Sequence, residues 1–265
     1  ILKANDNWFL KPTVPHEDYG TLDHLGYGPY SSVSYSEPDY HIIGNDLVDE
    51  FFKTKVAKWK SDRCTKWGEL YEFQSEPIQY NNYYLVIGQC GGDEVVTKHD
   101  FGHYFSKMKA LVSELSRIDR SKIIVVKLHP HTDGAFNEAP GFAETIKDGL
   151  IKISDNVKVF TGYRSIHDFV EKASCVFLAN SGAGFEAMMY DKPIVSWGYP
   201  EYHWVTYDLR HLADLGNAVK TDDWFNVFAQ RRFLYWYLER YCIYDQDTCD
   251  RRVLELIQEH ECYEK

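Results

Sequence analysis

Ser181 and Gly182 follow the apolar run CVFLAN (175–180) and open a predicted helix, GFEAMMYD (184–191), that carries Glu186. Small residues between a strand and a helix let backbone N–H groups face an anion, and the helix dipole favours negative charge there. With Asn180 and the Ser181 hydroxyl beside it, that turn suits a monophosphate or a diphosphate. Glu186, about one turn into the helix, could accept hydrogen bonds from both hydroxyls of a ribose. Other polar groups also stand where apolar runs stop. His129 ends KIIVVKLHP (122–130), and Gln89, Gly91, Gly92 and Asp93 close NYYLVIGQ (82–89). Gly162, Tyr163 and Arg164 end VKVFTG (157–162), and Gly198 and Tyr199 end PIVSWG (193–198).

A second cluster lies in HEDYG (16–20), where His16, Glu17 and Asp18 are consecutive, with Asp23 and His24 close behind. An acid pair beside a histidine is a reasonable place for a general base or a nucleophile. The competing reading is a plain turn, because Asp and Gly are turn residues. Each of the other groups has a bland reading too. His-Pro after a strand can be only a terminator. Ser-Gly-Ala-Gly is not GxGxxG and lacks the lysine of a P-loop. Glu186 alone would suit a solvated helix face. The conjunction of these groups, not any one of them, points to a phosphate-bearing ligand.

The elements that must position them alternate over residues 81–200. The strands named above are separated by helical patterns at 101–118, 141–153, 165–173 and 184–191, with Ser165 an expected N-cap. Continuous apolar strands alternating with helices predict a parallel sheet covered on both faces, with ligands off the carboxyl ends of the strands. Residues 16–41 are rich in Gly, Ser, Tyr and Pro and read as loops. Residues 45–62 read as an amphipathic helix capped by Asn45, and 221–244 and 250–261 read as helices.

Bulk properties exclude several classes. The chain has 265 residues, enough for one large domain or two small ones. A net charge of −11 opposes general nucleic-acid binding, which needs phosphate-neutralising Lys and Arg. It does not oppose a nucleotide held by a few local groups. No run of 18 apolar residues predicts a transmembrane helix, and the first residues do not read as a signal peptide. Six cysteines without a CxxC pair give no zinc pattern, and no metal ligand set is expected. Cys175 reads as buried. A Cys242–Cys249 bridge is conceivable, but a reducing cytoplasm with free thiols is simpler. Aromatics at 16% mark either a core or a sugar-handling surface, and the core reading comes first.

Four stretches, in order, resemble the bacterial capsule polysaccharide synthesis proteins, a family that includes transferases of the eight-carbon acidic sugar Kdo. They are EDYG (17–20) with the Gly- and Ser-rich segment after it, YLVIGQCGGDEVVTKHD (84–100), IVVKLHPHTD (124–133) with its Lys-x-His-Pro, and residues 165–204 with Asn-Ser, Gly-Phe-Glu-Ala and Gly-x-Pro-x-Tyr. The Tyr-rich YLERYCIYDQDT (237–248) also fits the helix that closes the family domain. The resemblance spans about residues 16–255. It implies a GT-B glycosyltransferase with a nucleotide-sugar donor, UDP- or CMP-linked, a glycan acceptor, and no cofactor or obligatory metal. On that footing residues 1–80 form a reduced N-terminal, acceptor-side lobe. Residues 81–220 form the Rossmann-like donor lobe, and 221–265 are helices closing against both.

The resemblance further implies that Asn180, Ser181, Gly182 and Glu186 hold the donor's phosphate and ribose, with His129 reaching the phosphate. Gln89, Asp93 and Arg164 join this donor set. Asp18 would act directly in the chemistry, assisted by Glu17 and His16. Two departures stand out. Tyr19 interrupts the family's Glu-Asp-Gly, and GPYSSVSYSEPDYH (28–41) differs from the usual text. The expected location is cytoplasmic or peripheral to a membrane. The main alternative is a non-catalytic nucleotide- or carbohydrate-binding module derived from such an enzyme. A dinucleotide enzyme is disfavoured by the missing GxGxxG and Tyr-x-x-x-Lys.

Overall fold

The computed structural model describes residues 2–4, 8–13, 18–66, 78–97, 103–133, 140–221 and 223–263. It opens with β1 (Leu2–Ala4), β2 (Trp8–Pro12) and β3 (Gly20–Asp23), then α1 (Ser32–Tyr35), α2 (Asn45–Phe51) and α3 (Ala57–Asp62). The expected alternation follows: β4 (Tyr83–Ile87), α4 (Glu94–Thr97), α5 (Tyr104–Ile118), β5 (Ile124–Lys127), α6 (Phe142–Ile151) and β6 (Val157–Phe160). It continues through α7 (Ile166–Val170), β7 (Ala173–Leu178), α8 (Ala183–Met189), β8 (Ile194–Ser196) and β9 (Tyr207–Asp208). The described chain ends with α9 (Leu215–Lys220), α10 (Val227–Trp236), β10 (Cys242–Ile243) and α11 (Gln246–Tyr263).

Strands β4 to β9 form one parallel sheet in the order β6-β5-β4-β7-β8-β9. Counted along the chain, that is the doubly wound order, which reverses direction between β4 and β7. The crevice at such a switch point is where ligands bind. Pleating explains why these strands are apolar throughout. Tyr83, Leu85 and Ile87 of β4 face one core while Tyr84 and Val86 face the other. Helices α5, α6 and α9 cover the second core; α7, α8 and α10 cover the first. The expected α/β sheet with helices on both faces is therefore present. The aromatic excess goes largely inward: Tyr83, Tyr104, Tyr202 and Tyr237 are fully buried.

The N-terminal strands make a separate antiparallel sheet in the order β1-β2-β3-β10. Its fourth strand, β10, comes from the far end of the chain. N-terminal residues such as Val48, Phe51 and Trp59 share a core with Phe233, Leu234 and Tyr237 of the C-terminal region. Among the described residues, no helix is long and apolar enough to cross a membrane.

Several expectations need correction. Residues 16–41 are not all loop: β3 is a buried strand, and its partners β2 and β10 lie elsewhere in the chain, so no local pattern announces it. The helix over 45–62 contains a π-helical segment at Phe52–Val56, and its N-cap is Gly44. Asn45 instead accepts a hydrogen bond from the Arg232 guanidinium at 2.8 Å. The helix expected over 221–244 starts only at Val227, after Asn226 caps it by accepting from the Ala229 N–H at 3.1 Å. Beyond the π-helical Tyr237–Tyr241 it gives way to β10. Strand β9 was not expected. Ser165 does precede α7, but its hydroxyl makes no cap and has no hydrogen-bond partner among the described residues. Cys242 and Cys249 are free thiols, and Cys175 is buried.

Candidate functional site

A cavity of about 120 Å³ opens at the switch point, beneath the carboxyl ends of β4, β5 and β7. Of the expected donor residues, His129, Arg164, Ser181, Gly182 and Glu186 line it. So do Lys66 and Lys127, which sequence reasoning did not place there. Three basic side chains thus face one small space, against the single carboxyl group of Glu186, in a chain of net charge −11. Concentrating cations against the overall charge is what an anionic ligand requires.

Lys127 ends β5 and is only 6% exposed. Burial, with Arg164 nearby, pulls its pKa down to about 8, so it still carries its charge near neutrality. Its Nζ donates to the Leu128 carbonyl at 3.4 Å, a long bond that leaves ammonium hydrogens for a ligand. Its place inside an apolar strand, in Lys-x-His-Pro, was a legible signal, because a lysine is rarely buried without a partner.

Lys66 had no such signal. Its place depends on a tertiary anchor two residues earlier. The Cys64 carbonyl accepts from His167 Nε2 at 2.7 Å, and His167 Nδ1 accepts from the Tyr190 hydroxyl at 3.0 Å. Burial lowers the pKa of Lys66, and Glu186 opposes that shift.

His129 accepts the His131 N–H at Nδ1, at 3.1 Å. A backbone N–H can only donate, which favours the tautomer with the ring proton on Nε2. Burial, then the charges of Lys127, His131 and Lys66, hold its pKa at about 3. His129 is therefore a neutral N–H donor, not a cation.

Glu186 is 3% exposed, and its Oε2 has no hydrogen-bond partner among the described residues. Burial pushes its pKa up to about 7. The solvated-surface reading is thereby excluded. Next to it, Gly184 admits the Tyr202 ring where a Cβ would collide, and the Tyr202 hydroxyl donates to the Ser181 carbonyl.

The turn before α8 differs from the expected cradle. Ser181 Oγ accepts from the Ala183 N–H at 3.3 Å. The Gly184 and Phe185 N–H groups donate to the carbonyls of Ser181 and Gly182, at 3.1 and 3.0 Å. The first turn thus spends these donors on its own backbone. The positive charge facing the cavity comes from lysine and arginine side chains instead.

Gln89 and Asn180 meet each other rather than the cavity. Gln89 Nε2 donates to Asn180 Oδ1 at 2.7 Å, and the Asn180 N–H donates to Gln89 Oε1 at 3.0 Å. Asn180 Nδ2 also donates to the Val95 carbonyl at 2.7 Å. This amide clasp ties the ends of β4 and β7 across the switch point. Asp93 accepts from the Val95 N–H at 3.2 Å, at the start of α4.

A second cleft adjoins the first and shares Lys66 and Gly182 with it. Lys11 and Thr13 of the N-terminal region line it, together with Asn180 and Glu201. Glu201 accepts from the hydroxyls of Tyr237 and Ser31, at 2.9 and 3.4 Å, and burial raises its pKa. The Thr13 N–H donates to the Tyr19 carbonyl at 2.9 Å. Asp18 is exposed in a turn; His16 and Glu17 lie outside the described residues.

The chain is similar to two solved structures from Thermosulfurimonas dismutans. One is KpsC beta Kdo 2,7 transferase, at 16% identity, covering 92% of this chain and 73% of that one, with a TM-score of 0.53. The other is KpsC beta Kdo 2,4 transferase, at 17% identity, covering 91% and 72%, also at 0.53. They share its fold. Nothing among the curated proteins matches it. The family model for capsule polysaccharide biosynthesis proteins matches residues 40–241, which include all the residues lining the crevice. The chain belongs to the capsule polysaccharide biosynthesis protein family, with a Rossmann-like α/β fold.

Proposed function

We propose that the protein transfers a sugar from a nucleotide-sugar donor to a hydroxyl of a glycan acceptor. The observation that carries this reading is the switch-point cavity, where Lys66, Lys127 and Arg164 converge with a neutral His129 and a buried Glu186. Breaking the bond between the anomeric carbon and phosphate leaves negative charge on the nucleotide. Preorganised cations and an N–H donor stabilise that charge in a site shielded from water. In this reading they do so without an obligatory metal. The Nε2–H of His129 and the ammonium of Lys127 serve the phosphates, and Glu186 serves the ribose. Gln89 and Asn180 hold the strand ends, and Asp93 orders the turn beside them.

The sugar then points toward the second cleft, where residues 1–80 provide the acceptor side. Asp18 acts on the reacting carbon or the acceptor. As a base it takes the acceptor's hydroxyl proton while the acceptor oxygen displaces the phosphate, giving inversion. As a nucleophile it first bonds the anomeric carbon as the phosphate leaves; the acceptor oxygen then displaces the carboxylate while the freed phosphate takes its proton, giving retention. Glu17 and His16 assist. The donor is UDP- or CMP-linked, and the family and the similar Kdo transferases favour an acidic sugar. The setting is cytoplasmic, at or near the membrane where the glycan grows.

The test is release of nucleotide from a panel of CMP- and UDP-sugars without acceptor, followed by Asp18→Asn. One donor is expected to be hydrolysed slowly, and Asp18→Asn to abolish that while leaving donor affinity intact. Binding without turnover of any donor, with or without acceptor glycans, favours the non-catalytic module. No nucleotide binding at all defeats the assignment of the cavity.

A further inference from the structure

The Cys90 thiol lies directly behind the ring of His129. Cys90 follows β4 and is 4% exposed. Its Sγ stands 3.2 Å from His129 Nδ1 and 3.6 Å from the His131 carbonyl. The His131 N–H approaches the same Nδ1 at 3.1 Å. His129 in turn lines the cavity with Lys127 and Glu186. The backbone N–H can only donate to Nδ1, and the single thiol proton is shared between Nδ1 and the His131 carbonyl. From this arrangement we infer that Cys90 is a positioning residue for the donor site. It holds the His129 ring with Nδ1 bare and Nε2–H turned to the ligand.

The physical need is specific. A histidine flanked by Lys66 and Lys127 gains nothing from a positive charge of its own, and the cavity already has three basic side chains. What a phosphate oxygen lacks there is a neutral, fixed donor. Imidazole has two tautomers, and only the one protonated at Nε2 supplies it. One backbone N–H on Nδ1 biases the tautomer but leaves the ring free to tilt about that bond. A second partner on the adjacent strand end removes the tilt. The neighbouring strand supplies it, since Cys90 and His129 follow β4 and β5, which pair in parallel. Thiols are weak donors, so the contact adds orientation rather than charge, and burial keeps it dry.

This inference rests on the cavity being a nucleotide site, and the test separates the two. In protein labelled with ¹⁵N-histidine, long-range ¹H–¹⁵N correlations report the tautomer of His129 without any ligand. The signal is assigned by its loss in His129→Gln. The wild type should show Nε2 protonated and Nδ1 bare. Cys90→Ala should show a mixed or averaged Nδ1 signal. Its UDP or CMP affinity, whichever the wild type binds, should be weaker by about fivefold, the scale of one hydrogen bond. Cys90→Ser, which keeps a donor, should restore both.

An unchanged His129 signal in Cys90→Ala would overturn the inference, whatever the affinity does. So would a Cys90→Ser protein no better than Cys90→Ala in both readouts. If the wild type binds neither nucleotide, the nucleotide reading of the cavity fails, while the spectra still decide whether Cys90 sets the ring.

Discussion

Glu186 and Asp23 are both buried carboxylates, 3% and 0% exposed, yet their surroundings are opposite. Asp23 ends β3 and accepts from the N–H groups of Leu25, Gly26 and Ser32, at 2.8, 3.3 and 3.0 Å. It also accepts from the Ser32 hydroxyl at 2.6 Å and the Tyr241 hydroxyl at 2.8 Å, with the Arg252 guanidinium 4.0 Å away. Every lone pair has a partner, and the partners come from the N-terminal region and both C-terminal helical segments. Glu186 has an oxygen without a partner among the described residues and faces a cavity lined by cations. A buried carboxylate that is fully bonded builds the fold. One left incomplete beside a cavity is tuned for something that arrives later.

The sharpest way to break this contrast is Asp23→Ala. Several donors and Arg252 would lose their acceptor together, so a loss of about 3–5 kcal/mol in urea unfolding is expected. A loss under about 1 kcal/mol would mean that the Asp23 network does not hold the two ends of the chain together.

Lys127→Met tests the cavity from the opposite side. Nucleotide affinity should fall about 10- to 100-fold, as for a lost hydrogen bond to a charged group. Stability should rise rather than fall. The depressed pKa of Lys127 means that stability present above about 10.5 is lost as pH falls through about 8, and methionine removes that loss. A less stable variant at pH 7 would make Lys127 a structural residue like Asp23.

Glu186→Gln should alter pH dependence. With its pKa raised from 4.5 to about 7, wild-type stability is full below 4.5 and declines as pH rises through 7. The glutamine variant should lack that decline, worth about 3 kcal/mol between pH 4.5 and 8. Parallel curves for the two proteins would mean that Glu186 is compensated in the free protein. Glu186→Ala should also lose preference for ribose over deoxyribose nucleotides in titration calorimetry.

His129→Ala should have the smallest effect, because a neutral donor is removed rather than a charge. Nucleotide binding should weaken several-fold, and the loss should be flat between pH 5 and 8, since burial keeps the imidazole neutral throughout. A loss that grows as the solution is acidified would show that His129 binds as a cation.

Strands β4 to β8, and helices α5 to α8 between them, were legible because each carries its own evidence. Apolar continuity marks a strand buried on both faces, and Lys-x-His-Pro and Asn-Ser-Gly mark where two of those strands stop. From these local signals follow the parallel sheet, the crevice at its carboxyl edge, and the presence there of His129, Arg164, Ser181, Gly182 and Glu186. Sequence could not show that Gln89 and Asn180 are spent on each other, because that depends on two strand ends 91 residues apart becoming neighbours.

Lys66 and β3 were hidden for the same reason. One is placed by a histidine from α7 gripping the carbonyl two residues before it, the other by a strand partner at Cys242–Ile243. The amino-acid pattern by itself determined which elements form and where polar groups leave the core, since periodicity and chain-local sterics act within a few residues. Which of those polar groups satisfy one another and which stay open to a ligand was decided only by tertiary structure. A buried group's state depends on the partners that folding brings to it.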